Sequence, residues 1–312
     1  MKNVVFLFDG QGAFRPGIGK DLCGRYPKAN EILEKSSSVL GYNLSEHLWG
    51  DKASETASKT SIAQPAISTI SLAYAEALLE LGCEGAVSLG HSLGEVTAIV
   101  YCGVVSFEDG IRLIKKRGEV MEAGGKQGTM MAVLNMDMSV LEELCKSISE
   151  EISEPVVVAN INAPNQIVIS GAKEGVAKVA KRVAEKGGRG IPLKVGGAWH
   201  SPYLEDAARE FADFLDAIEF NKPAREFYSV VEQGTLSDPA AIKDSIERQM
   251  LSQVNWLEAI KNVKAMGHAK FLEIGPSKIL RDLVGKIDQE IDADSTALYA
   301  EMDKLVDTFG VS

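Results

Sequence analysis

Ala86-Val87-Ser88-Leu89-Gly90-His91-Ser92-Leu93-Gly94 is the stretch whose reading decides the fold. A short apolar run meets Gly-x-Ser-x-Gly, and an aliphatic series continues to about Cys102, with Gly103 as its stop. This is the pattern of a buried strand, a turn too tight for side chains, and a helix. Outward from it, Val4-Val5-Phe6-Leu7-Phe8 reads as a second buried strand, halted at Asp9-Gly10-Gln11-Gly12. Ile67, Ile70, Leu72, Ala73, Ala77, Leu78 and Leu81 predict a buried helix over 66–81, closed by Gly82. Strands and helices that alternate in this way build a mainly parallel sheet covered on both faces, the α/β class.

Between Gly128 and Val195 the grammar changes. Strands are expected at 129–134, 155–160, 166–170 and 190–195, helices at 139–149 and 174–186, and a turn at Asn162-Ala163-Pro164-Asn165. The order β-α-β-β-α-β is that of a ferredoxin-like unit. Gly124-Gly125 before it and Gly196-Gly197 after it read as hinges, so 128–195 is expected to be a small domain inserted into a larger one made of 1–127 and 196–312. After Gly197 alternation resumes, with Lys270–Ile274 the clearest late strand.

The 312 residues are enough for two structural units with full cores, without disulfides or metals. Thirty-three basic against 44 acidic side chains leave a net charge of −11, which argues against nucleic acid or an anionic membrane surface as the main partner. Apolar stretches are interrupted well short of the ~20 residues a bilayer span needs, so a cytoplasmic location is the expectation. Cys23, Cys83, Cys102 and Cys145 stand far apart and away from histidine, as reduced buried thiols do, and no metal site is expected.

The Gly90–Gly94 pentapeptide fits a nucleophile elbow, which pushes the Ser92 hydroxyl out of the turn and aims the Leu93 backbone N–H, at the helix start, where an oxyanion would form. A tight turn with an incidental serine is the plainer alternative. A serine nucleophile needs a base. His91 belongs to the elbow and points away from Ser92; His47 and His268 lie in loop or surface contexts. His200 remains, in the small-residue loop Gly196-Gly197-Ala198-Trp199-His200-Ser201-Pro202 where the insert returns to the larger unit. It is the best base in the chain by elimination. No acidic third member stands out, which leaves a backbone carbonyl or an amide side chain to orient the imidazole.

Ser106-Phe107-Glu108-Asp109 resembles a capping box, with Ser106 as N-cap of a helix running to about Ala123. At 100° per residue, Ile111, Leu113, Ile114, Gly118, Val120 and Met121 share one face, and Arg117 is the single charge among them. A guanidinium drawn toward a core needs an anion. A structural salt bridge, snorkelling and a substrate carboxylate all meet that need.

Taken together, Phe6-Leu7-Phe8 with Gly10-Gln11-Gly12, Gln64-Pro65-Ala66, Gly90-His91-Ser92-Leu93-Gly94-Glu95, Lys116-Arg117-Gly118 with Met121, Gln166–Gly171, Ala198-Trp199-His200-Ser201 and Glu273-Ile274-Gly275-Pro276 resemble the malonyl-CoA:acyl-carrier-protein transacylases, in order and at family spacing, to about Leu283. The resemblance implies an α/β-hydrolase-like large domain with a ferredoxin-like insert. It also implies transfer of malonyl from coenzyme A, through a serine ester, to the phosphopantetheine thiol of an acyl carrier protein in fatty-acid biosynthesis, with no bound cofactor. Ser92 is then the nucleophile, His200 the acid and base, and Arg117 the ligand of the malonyl carboxylate. Gln11 and Leu93 supply oxyanion N–H groups, Gln64 lines the pocket, and the main-chain carbonyl of Gln249 orients the histidine. A trans-acting acyltransferase of a polyketide line would keep the same residues. A serine thioesterase or other hydrolase would finish with water and leave Arg117 without a role. The sequence departs from the family pattern at Asp9 (usually proline), Ala13-Phe14 (commonly Ser-Gln), Trp199 (more often Phe or Ser) and Ser277 (frequently glycine).

Overall fold

The computed structural model describes residues 4–309. Its strands are β1 (Val4–Phe8), β2 (Val87–Gly90), β3 (Gly128–Leu134), β4 (Val156–Ala163), β5 (Gln166–Ala172), β6 (Arg189–Pro192), β7 (Phe227–Ser229), β8 (Gly234–Leu236), β9 (Val254–Asn255), β10 (Lys270–Ile274) and β11 (Asp292–Ser295). They form two sheets, ordered β11-β10-β1-β2-β7-β8 and β6-β3-β5-β4-β9.

The first sheet is parallel except for the β7–β8 hairpin at its edge. Its inner strands β1, β2 and β10 are buried on both faces. Phe6 and Phe8 pack into a core shared with the helices Thr60–Glu80, Leu93–Tyr101 and Phe107–Gly124, whereas Val5 and Leu7 face Trp256–Ala265 and Ile279–Ile287. Period-two alternation of side chains around one strand thus builds both layers. Phe8 pairs with Gly90 on one side and Ile274 on the other, so β1, β2 and β10 end at one level. Asp9, His91 and Gly275 follow at this carboxyl edge, the place where parallel α/β sheets bind ligands.

The second sheet has the ferredoxin-like order, with β6, β3, β5 and β4 paired antiparallel to one another. One face is covered by the helices Met138–Ile152 and Lys173–Glu185. The other, through Met130, Ala132, Ala159 and Val168, joins the core of the large unit. A strand from the large unit, β9, extends the same sheet by pairing in parallel with β4.

Several boundaries differ from the expectation. The helix expected from Ala66 starts at Thr60 and takes Pro65 into its second turn. This carries Gln64 onto a buried helix. It spans 21 residues and is apolar enough to cross a membrane by length and composition, contrary to the reading of interrupted apolar stretches, but most of it is buried against the rest of the chain. Asn162 and Ala163, expected in a turn, belong to β4, and only Pro164-Asn165 turn. The strand expected over 190–195 ends at Pro192; Leu193 N–H still donates to Met130 O at 3.0 Å, and Leu193–Val195 line a cavity. The glycine pairs read as hinges pack on each other. A Cβ on Gly197 would fall 2.4 Å from Gly125 O, and Ala198 N–H donates to that oxygen at 3.0 Å. Their smallness serves a close crossing of two chain segments. His47 lies in the short helix Leu44–Leu48, edge-on to Tyr42. All four cysteines are free and buried.

Candidate active site

The elbow is built as its glycines require. A Cβ on Gly90 would sit 2.0 Å from Gly94 C, and one on Gly94 would sit 1.9 Å from Phe8 O. Ser92 between them is held at φ 53°, ψ −102°, a conformation non-glycine residues seldom adopt. That strain turns the hydroxyl out of the backbone and into a cavity of about 370 Å³ between the two sheets. Gln11, Met121, Met130, Trp199 and His200 are among the residues that line it.

Ser92 Oγ is 2.7 Å from His200 Nε2. His200, itself at φ 55°, turns Nδ1 toward the carbonyls of Gln249 (3.2 Å) and Ser252 (3.0 Å). Two acceptors at Nδ1 keep the proton there and leave the Nε2 lone pair for the serine proton. Burial, helped by the Arg117 and His91 charges, pushes the imidazole down to about 3, so it is neutral near pH 7. Both groups facing Nδ1 are thus main-chain carbonyls, one of the two alternatives the sequence left open, and Ser252 is the nearer. The segment holding it is tied to the insert through Gln253 Nε2 on Val158 O (3.1 Å) and the β9–β4 pairing.

Arg117 is fully buried on the apolar face of its helix, among the residues that periodicity assigned to that face. Its Nη2 donates to Ser92 Oγ (3.0 Å) and to Gln249 Oε1 (2.9 Å), its Nε to the same amide oxygen (3.2 Å), and its Nη1 to Gln64 Oε1 (2.9 Å). Among the described residues no carboxylate touches it, so the structural salt bridge is not formed. The compensating charge is one amide away: Gln249 Nε2 donates to Glu95 Oε2 (2.8 Å) and to Ser92 O (2.9 Å). Glu95 is anchored in turn by Ser229 Oγ and the backbone N–H groups of Val230 and Val231. Burial lowers the guanidinium to about 10, and Glu95 opposes the fall, so it stays charged at neutral pH.

Ser92, His200, Arg117, Gln249 and Gln64 therefore share one hydrogen-bonded network. Gln11 joins it at the edge: its turn is a short 3-10 helix with Ala13, Gln64 Nε2 donates to its Oε1 at 3.4 Å, and its own amide donates to Thr60 Oγ1. Leu93 opens the helix directly after Ser92. His91 faces the insert, with Nε2 2.8 Å from Asn162 Oδ1 and its ring edge-on to Trp256. Trp199 packs on Gly125, where a Cβ would lie 2.0 Å from its ring. Glu95, Ser252 and Asn162 carry roles that sequence reading did not assign.

A strained serine at the carboxyl edge of a parallel sheet, hydrogen-bonded to a neutral histidine beneath a ferredoxin-like insert, defines a serine-dependent acyl-transfer enzyme. The family model described as the acyl transferase domain matches residues 5–309. The malonyl CoA-acyl carrier protein transacylase of Bacillus subtilis is 36% identical over 294 residues, covering 93% of this chain and 92% of its own. MCAT from Streptococcus pneumoniae has TM-score 0.92 and 35% identity, with 98% of this chain and 99% of that one covered. A malonyl-transacylase in complex with a type II PKS acyl-carrier protein has TM-score 0.94 and 29% identity, covering 98% of this chain and all of that one. The chain belongs to the malonyl-CoA:acyl-carrier-protein transacylase family of acyltransferases.

Proposed function

We propose that this chain transfers malonyl from coenzyme A to the phosphopantetheine thiol of an acyl carrier protein in fatty-acid biosynthesis, through an ester on Ser92. One observation carries the assignment of roles: Ser92 Oγ is hydrogen-bonded both to a neutral His200 and to the buried cation Arg117. His200 Nε2 takes the serine proton as Oγ adds to the thioester carbonyl. The tetrahedral oxyanion is met by backbone N–H groups of Gln11 and Leu93. As the C–S bond breaks, the imidazolium returns the proton to the coenzyme A sulfur. The second half-reaction runs the same steps with the carrier thiol as nucleophile and Ser92 as leaving group. Malonyl-CoA enters as substrate, and the chemistry uses no bound cofactor. A cytoplasmic site of action belongs to the same reading, as does the division into a catalytic unit of 1–127 with 196–312 and an insert of 128–195. The β9–β4 pairing supports treating the two as mechanically joined.

Arg117 separates this reading from a serine thioesterase or other hydrolase. A charge-assisted contact to the malonyl carboxylate contributes roughly 1.5–3 kcal/mol, about ten- to a hundredfold. Arg117→Ala is therefore expected to cut malonyl transfer by that factor and to spare acetyl transfer, because a neutral acyl group no longer leaves a buried charge unpaired. The measurement is the ratio of malonyl to acetyl kcat/KM, with circular dichroism as the check on folding. Equal losses would reduce Arg117 to a structural residue. Supply of a polyketide line keeps the same residues, and the PKS-associated neighbour favours carrying it as the second reading. The carrier decides between them.

For the carrier, Lys181, Arg182, Lys186, Arg189 and Lys194 are exposed on the last helix and strand of the insert and the segment beyond. Only Arg182 among them is ion-paired within the described residues, to Glu185 at 3.5 Å. Such a patch steers an acidic partner. Reversing charge at Lys181, Arg182 and Lys186 together should raise KM for the carrier severalfold and leave acylation by malonyl-CoA unaltered. An equal effect on both steps would remove the patch from the account.

A further inference from the structure

Beneath the Gln11 turn lie two carboxyl groups that the transfer chemistry does not use. Asp9 and Glu273 are 1% and 0% exposed. They stand side by side because Leu7 pairs with Glu273 and Phe8 with Ile274, which brings the residue after β1 against the end of β10. Ser277 Oγ lies between them, 2.7 Å from Asp9 Oδ1 and 2.6 Å from Glu273 Oε1. A hydroxyl has one proton to donate. With both carboxyls ionised, one of these short contacts would set lone pair against lone pair. A proton on one carboxyl satisfies both. The outer oxygens already have donors, Ser277 N–H on Asp9 Oδ2 (3.2 Å) and Arg281 N–H on Glu273 Oε2 (2.7 Å).

No cation neutralises the pair. Among the described residues neither carboxyl is in a salt bridge, and the Arg281 guanidinium turns to Asp282 at 2.8 Å. Tyr74, on the helix Thr60–Glu80, shares the field of the Asp9 and Arg15 charges, and His91 stands across Gly10 on the elbow side. Burial and the neighbouring Glu273 hold the Asp9 carboxyl well above the ordinary carboxylate range. Gly275 makes room for it, since a Cβ there would meet Asp9 Oδ2 at 2.1 Å. Asp9 and Ser277 are also two of the positions at which the sequence departs from the family pattern, and here they touch.

The main chain at this point is the platform of the site. His91 N–H donates to Phe8 O at 3.2 Å, and a Cβ on Gly94 would come within 2.9 Å of Asp9 O. Gly10 and Gln11 follow directly. On the other side, Ile279 N–H donates to Ser277 Oγ at 3.2 Å, and Ile279 lines the cavity mouth. We propose that Asp9 and Glu273 share one proton through Ser277, and that this proton positions the Gln11 turn by clamping it to the Gly275–Ile279 loop. Its loss at alkaline pH puts two like charges side by side and loosens the turn. The folded state holds the proton more tightly than the unfolded chain, so stability falls as pH rises from the ordinary carboxylate range through the raised value of Asp9. Acyl transfer falls over the upper end of that window.

The kinetic consequence rests on the proposed transfer activity; the shared proton does not, and the test separates them. Infrared spectra of the full chain near neutral pH are expected to show the carbonyl band of a protonated carboxyl, absent from Asp9→Asn. In the same variant the alkaline limb of malonyl-transfer kcat/KM should move up by at least about one pH unit, so that roughly tenfold more activity survives where the parent has lost it. Glu273→Gln should do the same and serves if Asp9→Asn fails to fold. A parent without the band, or a band that survives both substitutions, overturns the shared proton. A band lost with an unmoved alkaline limb overturns the positioning role. A parent with the band and no malonyl transfer contradicts the functional reading and leaves the shared proton standing.

Discussion

Ser92→Ala is expected to lower malonyl transfer by about 10⁵–10⁶-fold, the order that follows removal of a serine nucleophile from its histidine. The elbow spends backbone strain to present this one oxygen, with φ 53° between glycines that admit no side chain. Loss of Oγ leaves the cavity, the Gln64 and Gln249 contacts to Arg117 and the His200 imidazole in place. Binding of malonyl-CoA should therefore persist while the covalent adduct disappears. Calorimetric titration with malonyl-CoA checks the first, and intact mass of the variant after incubation checks the second. An alanine variant that still gained malonyl mass would move the nucleophile elsewhere.

His200→Ala should slow both half-reactions by about 10²–10⁴-fold, because the same nitrogen takes the serine proton and returns it to sulfur. Its pH behaviour is equally specific. Burial, Arg117 and His91 hold the imidazole down to about 3, so the acidic limb of kcat/KM for the free enzyme should lie well below the usual histidine range. When a substrate carboxylate reaches Arg117, that cation is paired and one cause of the depression is removed. The limb in kcat, which reports the complex, should then sit higher than the limb in kcat/KM. The same shift links to stability. The unfolded chain takes up a proton as pH falls through about 6.5, while the folded state does not until about 3, so this contribution is full above 6.5 and lost as pH falls across the interval. Thermal melts of the parent and His200→Ala over that interval measure it. Identical acidic limbs in kcat and kcat/KM would contradict the coupling of the substrate anion to the base.

The parts legible in the sequence are those set by local periodicity. Val4–Phe8, the elbow and Lys270–Ile274 are short apolar runs punctuated by glycine, and Arg117 stood out because one charge interrupted an apolar face. What escaped was set by tertiary context. Pro65 reads as a boundary, yet its helix starts five residues earlier at Thr60. Ser252 acts through a carbonyl, which every residue has, so nothing in its side chain announces it. Glu95 follows the elbow as an unremarkable acid, and only the fold brings Gln249 between it and Arg117. Its place in the Gly90–Glu95 motif, at the start of a helix otherwise rich in aliphatic residues, was the available signal. Asp9 and Ser277 were visible as departures from a pattern, but their contact spans 268 positions of chain and depends on β1 and β10 being neighbours.

The central claim is a two-step transfer through Ser92, and time-resolved intact mass of the purified chain tests it most directly. Mixed with malonyl-CoA alone, the protein should gain the mass of a single malonyl group, mapped to Ser92 by peptide sequencing. A holo acyl carrier protein added next should return it to its original mass, with the malonyl now on the carrier and faster than water alone discharges it. Malonyl transfer to the carrier with no mass gain at Ser92 would contradict the account, and so would a serine ester that water removes as fast as the carrier does.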